Sequence, residues 1–367
     1  MSFVLPPYPY DRLAPIIAAA GRHEGGAIEC SIGTPCDPPP RVALDALAHA
    51  TSHRGYPMSF GSEAFRQSAL DWLQRRFGVT LALDDLAACV GTKEFVASLA
   101  QYLHLRDPSR DTVLFPAISY PTYAMGAQLA TLRAVAVRME NGRLDLDSIS
   151  ADDRRRALVL WSNSPSNPTG QLDDLAAAAA WGRAHGVLVA SDECYSEFTW
   201  SGPPQSIVQH GTEGVLAVHS ISKRSNLAGV RAGFYVGDRH VVSFLRSVRQ
   251  HAGLMVPGPV QEAVAAAYRD DEHVVAQRAI YERRFDLIRG ALASCGVTAA
   301  RPEGTFYLWG RDDQGDGFAT AHRLAERSGL VVSPGELYGA AGAAYIRLAV
   351  VQPDERLQVA AQRLTGA

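Results

Sequence analysis

Short apolar runs alternate with helical patterns along the middle of the chain. Residues 94–105 repeat apolar side chains at helical spacing, and residues 173–185 form a second helical pattern that ends at Gly186. The apolar runs are short enough to be buried strands, and they span residues 112–115, 134–137, 157–161, 187–190, 215–218 and 232–236. This alternation predicts an α/β domain built on a mainly parallel sheet.

The pattern changes near Pro257, where long helical stretches over residues 260–293 replace the strand–helix alternation. An α+β pattern follows, and the chain opens with 42 proline-rich residues that show no such alternation. We therefore predict a large domain over residues 43–256. Residues 1–42 and 257–367 are predicted to form an N-terminal arm and a smaller α+β domain that pack together.

Polar residues follow three of the predicted strands. Asn163 comes after residues 157–161, and Asp192 and Ser220 follow the next two strands along the chain. Ligands bind at the carboxyl ends of strands in open α/β sheets, so these residues predict a site at that edge. The alternative is an ordinary polar connection between a strand and a loop.

Composition excludes several classes of function. A net charge of −3 and a sequence pI near 6.4 offer no basic surface for nucleic acid. No stretch reaches the roughly 20 apolar residues of a membrane span, and no signal peptide pattern opens the chain, so we expect a cytoplasmic protein. Five cysteines without a CxxC pair favour reduced thiols, and scattered histidines predict no metal site.

The chain contains 35 lysine and arginine residues, but only two of them, Lys93 and Lys223, are lysines. Arginine was therefore acceptable wherever a positive charge sufficed. Lysine differs because its nitrogen can lose a proton and attack a carbonyl. The spacing Ser220-Ile-Ser-Lys223 also fits a serine–lysine motif with a serine nucleophile. That motif needs a later Lys-Thr-Gly and a Ser-Asp-Asn, and neither is present.

The remaining interpretation makes Lys223 the amine that condenses with the aldehyde of pyridoxal 5′-phosphate (PLP). Burial and cationic neighbours would lower the pKa of this amine, as the reaction requires. Arg231 could lower that pKa and bind the cofactor phosphate through its two nitrogens. The Ser220 hydroxyl could reach the same phosphate.

Three segments carry a family resemblance: "SNSPSNPTG" (162–170), "SDECYSEF" (191–198) and "SISKRSNLAGVRAGF" (220–234). Their order and spacing resemble those of fold-type I PLP-dependent aminotransferases of class I and II over nearly the whole chain. The resemblance implies an aspartate-aminotransferase-like fold, a homodimer and ping-pong transfer of an amino group. Further segments at 249–261 and 303–309 most resemble N-succinyldiaminopimelate aminotransferases, which implies N-succinyl-LL-2,6-diaminopimelate and 2-oxoglutarate as substrates.

The resemblance also implies roles around the cofactor ring. Lys223 would hold PLP covalently and later move the substrate proton, while Asp192 would pair with the pyridine nitrogen. Tyr195 and Asn167 would bind the phenolic oxygen, and Tyr120 would stack on the ring. Each of these residues has an ordinary structural alternative: Asp192 as a helix cap, Asn167 as a turn residue and Tyr120 as a core aromatic.

For the phosphate, the resemblance implies main-chain contacts from Gly91, Thr92 and Lys93 at a helix N-terminus, where backbone amides favour an anion. Tyr56 would reach the phosphate of the neighbouring subunit, or else is a loop tyrosine. Lys93 is interpreted as a backbone contributor, but its side chain could also be essential.

For the substrate, Arg347 would grip the α-carboxylate together with Gly33 and Asn167, or Arg347 would form a structural salt bridge. Arg224 and Asn226 are offered as candidates for selecting the substrate side chain.

Two enzyme alternatives stay open: a transaminase for another amino acid, and a PLP-dependent lyase on the same fold. A PLP-binding regulatory protein would need a DNA-binding module, for which 42 residues are too few.

Overall fold

The computed structural model describes residues 6–366. Thirteen α-helices lie within these residues: α1 (Ala14–Gly21), α2 (Arg41–Ala48), α3 (Glu63–Phe77), α4 (Thr92–Arg106), α5 (Thr122–Leu129), α6 (Ala151–Arg156), α7 (Leu175–His185), α8 (Ile221–Arg224), α9 (Arg239–His251), α10 (Gly258–Arg269), α11 (Glu272–Ser294), α12 (Gly317–Ser328) and α13 (Asp354–Thr365). None of them is both long and apolar enough to cross a membrane.

Fifteen strands complete the secondary structure of residues 6–366: β1 (Ile28–Glu29), β2 (Leu86–Cys89), β3 (Thr112–Pro116), β4 (Arg133–Val137), β5 (Met139–Glu140), β6 (Arg143–Leu144), β7 (Ala157–Asn163), β8 (Leu188–Asp192), β9 (Val215–Ser220), β10 (Gly233–Gly237), β11 (Thr298–Ala299), β12 (Tyr307–Arg311), β13 (Leu330–Val331), β14 (Ser333–Pro334) and β15 (Ile346–Ala349). Each of the six predicted strands is present.

A seven-stranded sheet organises the larger part of the molecule, in the order β2-β10-β9-β8-β7-β3-β4. Strand β10 alone runs in the direction opposite to the other six strands. Helices cover both faces: one core contains apolar residues of α3, α7 and α10, and the other contains residues of α4, α5 and α9. The predicted α/β fold with a mainly parallel sheet is therefore confirmed.

Strand β2 is the one strand of this sheet that the sequence pattern did not predict. Its four residues, Leu-Ala-Ala-Cys, are all buried, but two of them are alanines and none is β-branched. The local signal for a strand was therefore absent, and pairing with β10 decides the conformation.

A third core joins the two ends of the chain. Strand β1 pairs in parallel with β13, and the backbone amide of Ala349 donates to the carbonyl of Cys30 at 2.8 Å. Apolar residues of α1, α11, α12 and α13 share this core with the antiparallel sheet β11-β12-β15-β14. The N-terminal segment thus packs with the C-terminal α+β part.

The packing bears on where the chain divides. Helix α10 buries Ala263, Val264 and Ala267 in the core of the large sheet, whereas the following helix, α11, belongs to the third core. A division after Arg269 therefore suits the packing better than the predicted boundary at residue 257. The helical pattern at 260–293 contains two helices that serve different cores.

Candidate active site

A cavity of about 470 Å³ lies at the carboxyl ends of β7, β8 and β9. Strand pairing sets Asn163 beside Asp192, and Ser220 ends the next strand. The cavity is lined by most of the sequence-predicted site residues: Gly33, Thr92, Lys93, Tyr120, Asn167, Asp192, Tyr195, Ser220, Lys223, Arg231 and Arg347. Residues from 33 to 347 in the chain thus meet in one place.

Lys223 lies on the short helix α8, directly after strand β9. Its ammonium donates to the main-chain carbonyl of Gly33, which belongs to the N-terminal segment. Burial lowers the pKa of Lys223 to about 8, and the nearby guanidinium groups of Arg347 and Arg231 act in the same direction. The amine can therefore become neutral near physiological pH.

Asp192 ends strand β8 and is buried. Its carboxylate accepts from the Tyr123 hydroxyl at 3.0 Å and from the Cys194 amide at 3.2 Å. Burial raises the pKa of this carboxyl. No side chain of residues 6–366 forms a salt bridge with it, so a cationic N–H entering the cavity would meet an uncompensated buried acid.

Helix α4 begins at the cavity wall, with Gly91 as its N-cap. Gly91 has φ 78° and ψ 149°, a conformation that only glycine adopts readily. A Cβ at this position would lie 2.2 Å from Nη2 of Arg231. The first-turn amides of α4, the Arg231 guanidinium and the hydroxyls of Thr92 and Ser220 therefore converge on a space suited to a phosphate.

Tyr195 and Asn167 lie on the side of the cavity formed by Tyr307 and Arg347. The hydroxyls of Tyr195 and Tyr307 are 2.9 Å apart. Asn163 Oδ1 accepts from the Asn167 amide at 2.7 Å, which orients the turn that follows β7. Both Tyr195 and Asn167 are buried and can direct polar atoms at a ligand.

Arg347 lies in strand β15 and is only 2% exposed. Its Nη1 donates to Asn167 Oδ1 at 2.7 Å, and Nη2 donates to the Ser31 carbonyl. Within residues 6–366 its Nε has no hydrogen-bond partner, and no carboxylate pairs with it. The structural salt bridge is therefore absent from the described part, and a buried guanidinium is available to an anion.

Gly33 is required for the fit beside Arg347. The guanidinium lies over the ring of Tyr307, 4.1 Å from its centroid. A Cβ on Gly33 would come within 1.9 Å of the hydroxyl oxygen of the same tyrosine. A side chain at position 33 would displace Tyr307, which also contacts Tyr195.

Three of the residues singled out in the sequence lie elsewhere. Tyr56 is 99% exposed and does not line the cavity of its own chain. Arg224, a candidate for substrate selection, does not line the cavity, and its buried guanidinium binds Glu197 at 3.0 Å and Asp271 at 2.7 Å. Asn226, the other candidate, does not line the cavity either, and its side-chain amide donates to Gln277 at 3.0 Å.

The cavity also contains residues that sequence reasoning missed: Tyr8, Tyr10, Tyr123, Cys194 and Tyr307. Tyr123 lies three residues after Tyr120, and Cys194 lies between Asp192 and Tyr195. Their proximity in sequence to predicted site residues could have indicated that both line the cavity. The tyrosines at 8 and 10 carried no local signal, because the N-terminal segment reaches the site only through tertiary packing.

These residues fit PLP. The helix N-terminus with Arg231 suits its phosphate, the buried Asp192 suits its protonated pyridine nitrogen, and Lys223 suits its aldehyde. The guanidinium of Arg347, which has no carboxylate partner within residues 6–366, suits the carboxylate of an amino acid bound beside it.

Comparisons with known proteins agree with this arrangement. A family model described as aminotransferase class I and II matches residues 27–364. The 4-dedimethylamino-4-oxo-anhydrotetracycline transaminase of Streptomyces rimosus is 41% identical, over 98% of this chain and 99% of its own. The LL-diaminopimelate aminotransferase of Desulforudis audaxviator is 35% identical, over 100% and 98%. A solved structure, a probable N-succinyldiaminopimelate aminotransferase of Thermus thermophilus, superposes with a TM-score of 0.87 at 30% identity, over 98% and 99%.

Fold and site together define a PLP-dependent enzyme with an aspartate-aminotransferase-like fold, which confirms that expectation. The chain belongs to the class I and II aminotransferases, and it is a transaminase whose cofactor is PLP. Its substrates are an amino acid and a 2-oxo acid.

Proposed function

We propose that this aminotransferase takes its amino group from an amino acid that carries a second, distal carboxylate. N-Succinyl-LL-2,6-diaminopimelate is the proposed donor and 2-oxoglutarate the proposed acceptor. Both substrates share a carboxylate next to the reacting carbon and another carboxylate farther along the molecule. A single site can therefore serve both halves of a ping-pong cycle if it offers one cation to each carboxylate.

The distribution of cations around the cavity supports this proposal. Four cationic side chains line it: Lys93, Lys223, Arg231 and Arg347. Lys223 and Arg231 are occupied by the proposed cofactor roles, and Arg347 is suited to the α-carboxylate. Lys93 is the remaining cation, on helix α4, and its ammonium pairs with no carboxylate within residues 6–366, so it can meet the distal carboxylate. This position of Lys93 is the observation that carries the proposal.

PLP, when bound, supplies an aldehyde that bonds to amines and a ring that accepts electrons from the substrate Cα. The protein's residues hold and move the proton. Asp192 would keep the pyridine nitrogen protonated, and Tyr195 and Asn167 would hold the phenolic oxygen. Lys223, with its pKa lowered by burial, would move the proton between the substrate Cα and C4′ of the cofactor.

The relatives offer the same substrate class and one alternative. LL-diaminopimelate aminotransferases are 31–35% identical to this chain, and the substrate for which they are named has two carboxylates. The tetracycline-pathway transaminase is 41% identical, and it favours a second candidate function, transfer to a fused-ring oxo compound in a specialised biosynthesis. The aromatic walls formed by Tyr8, Tyr10 and Tyr120 would suit a flat ligand of that kind.

The enzyme is further proposed to act as a cytoplasmic homodimer in which Tyr56 of one subunit reaches the phosphate site of the other. The full exposure of Tyr56 in the single chain supports this arrangement.

A panel of amino donors tests the substrate proposal. N-Succinyl-LL-2,6-diaminopimelate, LL-2,6-diaminopimelate, glutamate and alanine would each be assayed with 2-oxoglutarate for kcat/KM. Donors with a distal carboxylate should exceed alanine by about tenfold or more, because a charge-assisted contact is made only with them. Lys93→Gln should remove most of this preference, whereas Lys93→Arg, which keeps the charge, should retain it.

Two results would contradict the proposal. One is an equal kcat/KM for alanine and the dicarboxylic donors in the native enzyme. The other is a uniform loss for all donors in Lys93→Gln, which would mean that Lys93 serves only the cofactor. Turnover of 4-dedimethylamino-4-oxo-anhydrotetracycline as acceptor, with slow transfer to 2-oxoglutarate, would establish the second candidate instead.

A further inference from the structure

The N-terminal segment places a tyrosine directly on the cation proposed to bind the distal carboxylate. Lys93 Nζ donates to the Tyr8 hydroxyl at 3.2 Å and lies 5.1 Å from the centroid of the Tyr8 ring. Tyr8 is 48% exposed at the cavity mouth. Residue 8 is 85 positions from residue 93 in the chain, so this contact is a product of tertiary packing.

The backbone around Tyr8 is restricted locally, and the chain is anchored on its C-terminal side. Pro7 and Pro9 flank the tyrosine and restrict its backbone, which is extended at φ −66° and ψ 123°. Beyond them, the side chain of Leu13 is buried in the C-terminal core. Arg12 binds Glu336 at 3.0 Å, so the segment is also tied to the small domain by charge.

Neighbouring rings define the orientation of Tyr8 further. Its ring centroid is 5.5 Å from that of Tyr10, and Tyr10 in turn packs edge-on against Tyr338 at 6.2 Å. Tyr338 lies under the Arg347 guanidinium, 4.7 Å from it. A continuous row of aromatic rings therefore connects the cation for the α-carboxylate with the cation at the cavity mouth.

We propose that Tyr8 is a specificity-determining residue that forms, with Lys93, a two-group clamp for the distal carboxylate of the substrate. This inference rests on the proposed function. The ammonium of lysine has three donors and no acceptor, so the Tyr8 oxygen can only accept from it. The hydroxyl proton of Tyr8 then remains free to donate to the same anion that the ammonium attracts.

The consequence is selective for substrates with a second carboxylate. Removal of the hydroxyl takes away one donor to that carboxylate and releases Lys93 from its fixed position. A monocarboxylic donor has no group at this point, so it makes no use of the pair. The ratio of kcat/KM for the two kinds of donor isolates this effect from any general loss of activity.

The test uses Tyr8→Phe in the PLP-loaded enzyme, with Tyr102→Phe as the matched control. Tyr102 loses the same hydroxyl but does not line the cavity. Glutamate and alanine serve as donors, and each half-reaction is followed by the decrease in absorbance of the enzyme-bound cofactor. The ratio of kcat/KM for glutamate over alanine should fall about tenfold in Tyr8→Phe and stay within twofold in Tyr102→Phe.

A double variant adds a second readout. If Tyr8 and Lys93 act as one unit, Tyr8→Phe in a Lys93→Gln background should change the ratio by less than twofold. An unchanged ratio in Tyr8→Phe, or an equal fall for both donors, would overturn the inference. In that case, a lower ratio of kcat/KM for glutamate over alanine in Lys93→Gln would still support the proposed function. If the native enzyme showed no preference for glutamate over alanine, both the inference about Tyr8 and the proposed function would be refuted.

Discussion

The chemistry at the scale of single residues depends on one amine in an arginine-rich protein. A guanidinium stays protonated at any physiological pH, so it cannot form a covalent bond with an aldehyde. The Lys223 amine differs because burial lowers its pKa to about 8, and Arg347 and Arg231 disfavour its charge further. At pH 7 roughly a tenth of such an amine is neutral, against well under 1% for an exposed lysine.

This shift predicts how the apoenzyme captures PLP as pH changes. Below pH 8 the amine is mostly protonated, so the rate of covalent capture should rise about tenfold per pH unit. Above pH 8 the amine is mostly neutral and the rate should level off. Stopped-flow absorbance between pH 6 and 10 measures how the rate of covalent capture depends on pH. The reaction of PLP with Nα-acetyl-lysine in the same buffers corrects for the titration of PLP itself.

A matched substitution identifies the amine. Lys223→Arg keeps the positive charge and should show no covalent capture at any pH, while Lys93→Arg should retain it. Borohydride reduction followed by peptide mapping should place the label on residue 223. A rate that keeps rising to pH 10, or a label on residue 93, would refute the assignment of this chemistry to Lys223.

At the scale of elements, the start of helix α4 decides whether a phosphate fits. The N-cap, Gly91, combines a backbone conformation reserved for glycine with a close approach of the Arg231 guanidinium. Arg231 itself is held at φ 56°, with its Nη1 donating to the Ala228 carbonyl at 2.8 Å. The first-turn amides of α4 and the Arg231 guanidinium therefore lie close enough together to bind the same anion.

Gly91→Ala should weaken PLP binding at least tenfold, because its Cβ would push Arg231 out of the phosphate site. Gly78→Ala is the matched control: Gly78 also has a positive φ, 71°, but a Cβ there would meet nothing within 4 Å. Backbone strain should cost about 1–2 kcal/mol of stability in Gly78→Ala, whose backbone is left-handed, and about 1–3 kcal/mol in Gly91→Ala. Titration of each apoenzyme with PLP would measure affinity, and thermal unfolding would measure stability.

Equal PLP affinity in Gly91→Ala and Gly78→Ala would show that the close approach to Arg231 has no consequence for the cofactor. A weakened affinity in both variants would trace the loss to backbone strain alone. Only a loss of PLP affinity that is confined to Gly91→Ala agrees with a phosphate site formed by the start of α4 and Arg231.

At the scale of the whole molecule, the described chain exposes apolar surface in a restricted region. Seven of its eleven exposed large apolar side chains lie between residues 8 and 58, including Tyr56 at 99% and Met58 at 52%. The full exposure of Tyr56 in the single chain agrees with its proposed role outside its own subunit.

Complementation between two inactive variants tests that role. Tyr56→Ala and Lys223→Ala should each be strongly impaired as homodimers. In a mixed dimer, the subunit with an intact Lys223 receives an intact Tyr56 from its partner, so one complete site is restored. Mixing after mild dissociation should recover up to about a quarter of native activity, from one site in half of the dimers.

Sedimentation would establish that the mixed species is a dimer. Activity that does not rise on mixing, although mixed dimers form, would show that Tyr56 does not act across the interface. A fully active monomer would refute the dimer requirement altogether.

The alternation of apolar runs was enough to predict six strands of the main sheet and the edge at which a ligand binds. Asn163, Asp192 and Ser220 follow their strands in the chain and meet at that edge, because parallel neighbours end on the same side. Strand β2 was not predicted, because alanine has little preference for an extended backbone. The sequence pattern grouped residues 258–269 with the C-terminal part, whereas their helix packs in the core of the large sheet. Periodicity shows that a helix is buried but does not show which core it joins.

Local patterns and the identity of rare residues were sufficient for the fold class and the cofactor, and they predict Lys223 as the amine that binds it, because these depend on short motifs and on what lysine can do that arginine cannot. Tertiary structure alone decided that Arg224 binds Glu197 rather than a substrate, that Arg347 lacks a counter-ion within residues 6–366, and that Tyr8 meets Lys93. Each of these facts depends on distances between segments that are remote in the chain, and such distances are set by packing rather than by any neighbouring residue.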